Sequence, residues 1–170
     1  DFSVISARGY FCFPPFDPLV DDDPISLDTF FCKVAPDEDE FHFSRTYKLV
    51  KKVNPSDILA LASISNTGFT FNSYEEKPAS LRGVGFNESF PAVMLLAFGV
   101  RLDWQKRGVG TVAFNKLVEM IRESSIAGVR MLTLHPLESA IPFYKSLGCV
   151  EVFAECEDDV ESMFLDVWQS

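Results

Sequence analysis

Histidine is almost absent from this sequence. His42 and His135 are the only two, and the four cysteines, Cys12, Cys32, Cys149 and Cys156, form no Cys-x-x-Cys pair. That scarcity argues against a zinc site, indicates no disulfide scaffold and fits reduced thiols. No metal is expected. No apolar run reaches the length of a membrane span. The opening Asp1-Phe2-Ser3-Val4 carries no basic region followed by an apolar stretch, so no signal peptide is visible. The expectation is a cytoplasmic protein with no membrane partner. Internal repeats and low-complexity tracts are also missing. Positive charge is in short supply: 15 Lys and Arg against 25 Asp and Glu leave a net charge of −10, which speaks against a broad electrostatic grip on nucleic acid. Two local basic patches stand out, Tyr47-Lys48-Leu49-Val50-Lys51-Lys52 and Lys106-Arg107.

What is abundant is apolar matter: 47% of residues are hydrophobic and 17 are Phe, enough for a packed core and not a disordered chain. The 170 residues suit one domain, read here as spanning 1–170.

The chain is organised around Pro91 to Ser125. An apolar run, Ala92 to Val100, is followed by the polar loop Arg101-Leu102-Asp103-Trp104-Gln105-Lys106-Arg107 and then Gly108-Val109-Gly110-Thr111. Beyond it Gly110, Phe114, Leu117, Val118 and Ile121 recur at helical spacing, with Lys116, Glu119, Arg122 and Glu123 between them. The pattern predicts strand, loop, helix. The first turn of a helix has amides without intrahelical partners and carries the positive end of the helix dipole, so an anion is bound there by both. Gly108 and Gly110 have no Cβ to hold a bulky anion away from the main chain, and Lys106 and Arg107 add charge. A phosphate or pyrophosphate is the expected ligand. A Walker loop is excluded, because no Gly-Lys-Ser/Thr occurs at the required spacing, and a dinucleotide fingerprint would need glycine at Ala113.

Taken in order, the other predicted elements are a strand around Ser3 to Phe13 and a short helix from about Pro24 to Lys33 with Asp23 as its cap. An acidic solvated loop is expected over Ala35 to Glu40. A hairpin of Phe41–Val50 and Ile58–Ser65 turns at Asn54-Pro55-Ser56. Thr67 to Glu88 reads as irregular. After the central helix, with Gly128 as its cap, come a strand over Val129–Leu134 and a short helix over Ser139–Leu147, capped by Ser139 and Gly148. Cys149–Glu155 and Met163–Trp168 close the chain as an antiparallel pair. The strand after the central helix should lie parallel to the strand before it, by a right-handed crossover. The fold class is therefore α/β (α+β), a mixed central sheet with helices on both faces.

Gln105-Lys106-Arg107-Gly108-Val109-Gly110 resembles the pyrophosphate loop of the Gcn5-related N-acetyltransferases, Gln/Arg-x-x-Gly-x-Gly/Ala. Ala140, Tyr144 and Gly148 match that family's second signature, Ala-x-x-x-Tyr-x-x-x-Gly-Phe, with Cys149 where phenylalanine is usual. The resemblance is firm over Ala92 to Val152. Ser44-Arg45-Thr46-Tyr47 and Leu59-Ala60-Leu61-Ala62 look like the toxin-type subgroup, which acetylates aminoacyl-tRNA. Those toxins are usually basic, and this chain is acidic.

The resemblance implies a single domain of that type, with a split between the two central parallel strands, and acetyl-coenzyme A as co-substrate. It implies cofactor contacts at Phe98, Gly99, Val100, Gln105, Lys106, Arg107, Gly108, Val109, Gly110, Thr111, Ser139 and Phe143. It implies Tyr144 as the acid for the departing sulfur. His135 and Glu138 are the weaker candidates for a base; a strand-end role suits the first and a helix-start role the second. The expected reaction is acetyl transfer to a primary amine of a small molecule or peptide, by direct attack. Aminoacyl-tRNA is the alternative acceptor, and a catalytically inactive binding module is the third reading. A homodimer is compatible with such a domain.

Overall fold

The computed structural model describes residues 2–6, 26–71, 77–82, 89–124, 128–153 and 160–169. Seven strands make one sheet in the order β1-β2-β3-β4-β5-β7-β6. They are β1 (Phe2–Ser6), β2 (Arg45–Lys51), β3 (Asn54–Thr70), β4 (Ser89–Val100), β5 (Met131–Leu134), β6 (Val150–Phe153) and β7 (Val160–Asp166). β1, β2 and β3 are antiparallel neighbours, and β7 is antiparallel to both β5 and β6. The long helix α3 (Val109–Glu123) joins β4 to β5, the connection that parallel neighbours require. The described residues fall into two compact units, Asp1–Ser65 with Leu95–Glu123, and Asn66–Met94 with Ser124–Ser170.

In the first unit, the predicted stripe of α3 is its buried face. Val109, Ala113, Phe114, Leu117, Val118 and Ile121 are all buried, and each large one contributes about 1.5–3 kcal/mol of transfer free energy. Val109 and Ala113 pack on Leu49, Leu59 and Ala60 of β2 and β3. A second helical run covers another cluster. Ser26 caps α1 (Leu27–Thr29), its hydroxyl accepting from the Thr29 amide at 3.2 Å. A π-helical turn, Phe30–Val34, then leads into α2 (Ala35–Glu40). Phe31 and Ala35 pack there with Leu61 and Ala97.

This run corrects two expectations. The helix continues past Lys33 through the acidic stretch predicted as loop, because Pro36 sits in the first turn of α2 and Asp37 and Glu38 lie at its positive end. The described helix is capped by Ser26; Asp23 and Pro24 lie outside the described residues. The hairpin of β2 and β3 formed, but its turn is Lys52–Val53; Asn54, Pro55 and Ser56, predicted as the turn, open β3, which runs on to Thr70 through residues read as irregular. Phe41 to Phe43 form a turn, with His42 at φ 62°, and not the start of the strand. The predicted extension of β1 beyond Ser6 lies outside the described residues.

In the second unit an aromatic cluster forms the core. Phe69, Phe71, Phe90 and Phe164 meet with ring centroids 4.9–5.7 Å apart, several edge to face, the arrangement that ring quadrupoles favour. Asp166, buried to 1% side-chain exposure, is satisfied by Arg130 Nη2 at 2.6 Å and by the Trp168 amide at 3.0 Å. The short helix α4 (Ile141–Ser146) follows a 3-10 turn at Glu138–Ala140. That turn occupies the place predicted for a cap, so Ser139 makes no capping bond. Gly148 does close α4: at φ +88° it lets the Cys149 amide turn back to the Tyr144 carbonyl at 3.1 Å. Gly128 lies well beyond Glu123, the last residue of α3, and does not cap it.

Candidate active site

Two groups of predicted residues are placed, one in each unit. The first is the loop between β4 and α3. Its geometry starts in the hairpin turn upstream. Pro55 has no N–H to give a sheet ladder, and the register of β2 on β3 jumps from Val50↔Ile58 to Lys51↔Asn54. Asn54 folds the slack locally, its side chain accepting from the Ser56 amide at 3.3 Å. The bulge sets Asp57 beside two cations, Lys51 Nζ at 3.0 Å and Arg101 Nη1 at 2.6 Å. Arg101 donates also to the Ile58 carbonyl at 3.1 Å and to both oxygens of Asp103, at 2.6 and 3.1 Å, and its amide donates to Leu59 O at 2.9 Å. Hydrogen bonds from Arg101 first, then from Lys51, hold the Asp57 carboxyl below the ordinary carboxylate value. Arg101 does the same to Asp103, and its own guanidinium is pushed up by these partners.

The loop leaves this anchor as a 3-10 turn, Leu102–Trp104. The Trp104 ring carries Lys51 Nζ at 4.2 Å and Arg107 Cζ at 5.5 Å from its centroid. Gln105 Nε2 donates to the Val100 carbonyl at 3.1 Å, tying the loop to the end of β4. Two residues then take left-handed backbone, Lys106 at φ 56° and Gly108 at φ 78°. A Cβ built on Gly108 would meet nothing within 4 Å, so the space over the main chain there is open. The first ladder bond of α3 runs from the Val112 amide to the Gly108 carbonyl at 3.1 Å. The amides of Val109, Gly110 and Thr111 therefore precede the ladder. Lys106, Arg107, Gly108 and Thr111 are exposed. This chemistry fits a pyrophosphate: open amides, a helix of 15 residues behind them, and two exposed cations. Phe98 and Val100 are half-buried against the α3 side, and Gly99 between them is buried.

The second group is in α4. Tyr144 is 7% exposed, with Phe143 edge-on at 5.2 Å between centroids. Burial, and then the neighbouring Cys149, push the Tyr144 phenol well above its ordinary value. Cys149, buried too, is pushed up to about 12. Both groups keep their protons at neutral pH. Ser139, His135 and Glu138 are exposed, and Phe143 is half-buried. Among the described residues no group of three or more His, Cys, Asp or Glu side chains is placed to hold a metal ion. No helix among them is long and apolar enough to cross a membrane.

Arg101 and Trp104 lie in the loop predicted from the sequence, but its anchoring on Lys51 and Asp57 was not predicted. Asn54-Pro55 was the available signal, since it marks a break in the ladder; the partners across 44 residues had none.

The family profile described as acetyltransferase (GNAT) family matches residues 30–149. No curated protein matches the chain. Among solved structures, AtaT complexed with acetyl-methionyl-tRNAfMet is similar at a TM-score of 0.75 and 18% identity, over 98% of this chain and 95% of that one. A tyrosine-to-phenylalanine mutant of KacT is similar at 0.73 and 16%, over 98% and 95%. AtaTR bound with AcCoA is similar at 0.72 and 18%, over 98% and 94%. At these identities the likeness is one of fold.

Proposed function

Because the chain belongs to the acetyltransferase (GNAT) family and is an N-acetyltransferase, we propose that it transfers acetyl to a primary amine by direct attack. The observation that carries this reading is the start of α3, where open amides follow a left-handed Gly108. Acetyl-coenzyme A, when bound, supplies an acyl group as a thioester. The amides from Arg107 to Thr111 hold its pyrophosphate, with Lys106 and Arg107 beside them. Main-chain amides of Phe98, Gly99 and Val100 would stabilise the negative charge that develops on the carbonyl oxygen. Gln105 keeps the loop in register with Val100. Ser139 and Phe143 are the further candidates for contact with the cofactor. Tyr144 holds a proton at Oη through neutral pH and would be the acid for the departing sulfur, the C–N bond forming as the C–S bond breaks. The amine loses its own proton to water, which leaves no task for His135 or Glu138.

The acceptor is a small-molecule or peptide amine in this reading. A second reading, acetylation of the amino group of an aminoacyl-tRNA, is favoured by the likeness to AtaT, whose solved complex holds acetyl-methionyl-tRNAfMet. Lys48, Lys51 and Lys52 would then meet phosphate. The net charge of −10 weighs the other way. Calorimetry with acetyl-coenzyme A, followed by free-thiol release against a panel of amines and charged tRNAs, tests both. Cofactor binding with thiol release only on amines supports the first. Release on charged tRNA, lost steeply as salt rises, supports the second. Absence of cofactor binding overturns both.

A further inference from the structure

Between α2 and β2 the chain puts two large rings into solvent. Phe41 is 67% and Phe43 73% exposed, and their centroids lie 6.4 Å apart. One exposed apolar side chain is ordinary; a neighbouring pair of phenylalanines is a patch. The pair does not belong to the sheet. β2 begins at Arg45, and the amides ahead of it turn back onto α2. Phe41 N donates to the Asp37 carbonyl at 3.0 Å, His42 N to Asp39 O at 3.3 Å and Phe43 N to Glu38 O at 2.8 Å.

Side chains brace the same turn. Arg45 Nη1 reaches Asp39 Oδ1 at 3.1 Å, and its Nη2 lies 3.2 Å from His42 Nδ1. His42 itself takes left-handed backbone, at φ 62°, which a residue with a Cβ adopts at a cost. These bonds hold that conformation, so the rings are presented with little ordering left to do on binding. The surroundings are acidic. Asp37 precedes Phe41 by four residues and Glu40 follows Asp37 by three, the spacings that share a helix face. Both are exposed. Residues 33–45 carry four carboxylates against Lys33 and Arg45, and Arg45 is engaged with Asp39.

Size and charge together select the occupant. Two rings at this exposure offer about 300 Å², well short of the ~800 Å² per partner that a stable globular interface buries. A second copy would also bring one chain of net charge −10 against another. Anionic lipid or nucleic acid would meet the same carboxylates. We propose that Phe41 and Phe43, flanked by Asp37 and Glu40, form a docking surface for a short cationic amphipathic segment of a partner protein. Its apolar residues cover the rings as central anchors, and its lysines or arginines meet the two carboxylates beside them. The inference needs neither acetyl-coenzyme A nor the transferase reading.

The test is fluorescence anisotropy on the full chain with a labelled amphipathic leucine–lysine peptide, and with its counterpart carrying glutamate in place of lysine. The lysine peptide is expected to bind, and the glutamate peptide at least about tenfold more weakly. The paired change Phe41→Ser and Phe43→Ser leaves the net charge unaltered. It should weaken the lysine peptide by about tenfold or more, with the urea midpoint nearly unmoved. Asp37→Asn with Glu40→Gln should weaken it several-fold, and decides the matter if the serine variant fails to fold. Val53→Ser, at a side chain 91% exposed in the β2–β3 turn, should leave binding unchanged. No binding of the lysine peptide, equal binding of the two peptides, wild-type affinity in the serine variant, or an equal loss in Val53→Ser overturns the surface. So does a dimer in sedimentation, or attachment to phosphatidylcholine vesicles, that the serine variant loses, since either hands the rings to another occupant.

Discussion

The loop before α3 and the tyrosine of α4 are built by opposite means. The loop is wet, charged and held from outside, by Arg101, Asp57, Lys51 and the Trp104 ring. Tyr144 is dry and held by packing, and its altered acidity comes from burial and not from an ion pair. The first arrangement suits a ligand that arrives with charge and must leave again. The second suits a proton that has to stay on its oxygen until it is needed. Salt and acid should therefore act on the loop, whereas side-chain volume and alkali should act on the tyrosine.

The largest effect expected is on the dry side. Tyr144→Phe should lower kcat by about a hundredfold, the lower range for loss of a proton donor, with acetyl-coenzyme A affinity unchanged by calorimetry. Because burial raises the phenol, wild-type turnover should show no decline from phenol ionisation as pH climbs through 10 (the ordinary tyrosine value), the proton leaving only at higher pH. An alkaline limb centred near the ordinary value and missing from the variant would place the phenol in solvent.

Next come the two left-handed glycines. Gly108→Ala and Gly148→Ala should each cost about 1–2 kcal/mol in denaturant unfolding, the penalty of left-handed backbone for a residue with a Cβ. Only the first should weaken acetyl-coenzyme A binding. At Gly148 the added methyl meets Leu165 Cδ1 at 3.7 Å, an ordinary contact, so the change is conformational there. A cofactor defect in both, or in neither, would break the comparison.

Trp104→Ala should release Lys51 and Arg107 and raise the dissociation constant for acetyl-coenzyme A several-fold, from about 0.5–1 kcal/mol per exposed cation–π contact. The smallest effect is Asp57→Asn, worth a few tenths of a kcal/mol for a partly exposed pair. The Asp57 carboxyl is depressed on folding, so its stabilisation is present above the ordinary carboxylate range and is lost as pH falls through the folded value. The gap between wild type and variant in urea unfolding should be widest near neutrality and close towards pH 3.

The helix α3 and its loop were legible because a long amphipathic period and two closely spaced glycines are local signals. The order of elements around the central strand was legible for the same reason. The acidic helix α2 was not, since Ala35 is its only buried hydrophobic residue and a period cannot be read from one position. Ser139 misled because the 3-10 turn before α4 takes the start of the helix without using a side chain. The support of the loop was beyond reach for another reason. It depends on a register jump near Pro55 that brings Asp57 to Arg101, and neither residue announces the other.

The strand order has one more consequence. β7 lies between β5 and β6, yet it leaves the ribosome after both. Until it arrives, β6 has no ladder to join and β5 keeps one edge bare. Synthesis from the N-terminus can finish the β1-to-β4 side early, but this half waits for its middle piece, a delay during which a chaperone would find Met131 and Val152 uncovered.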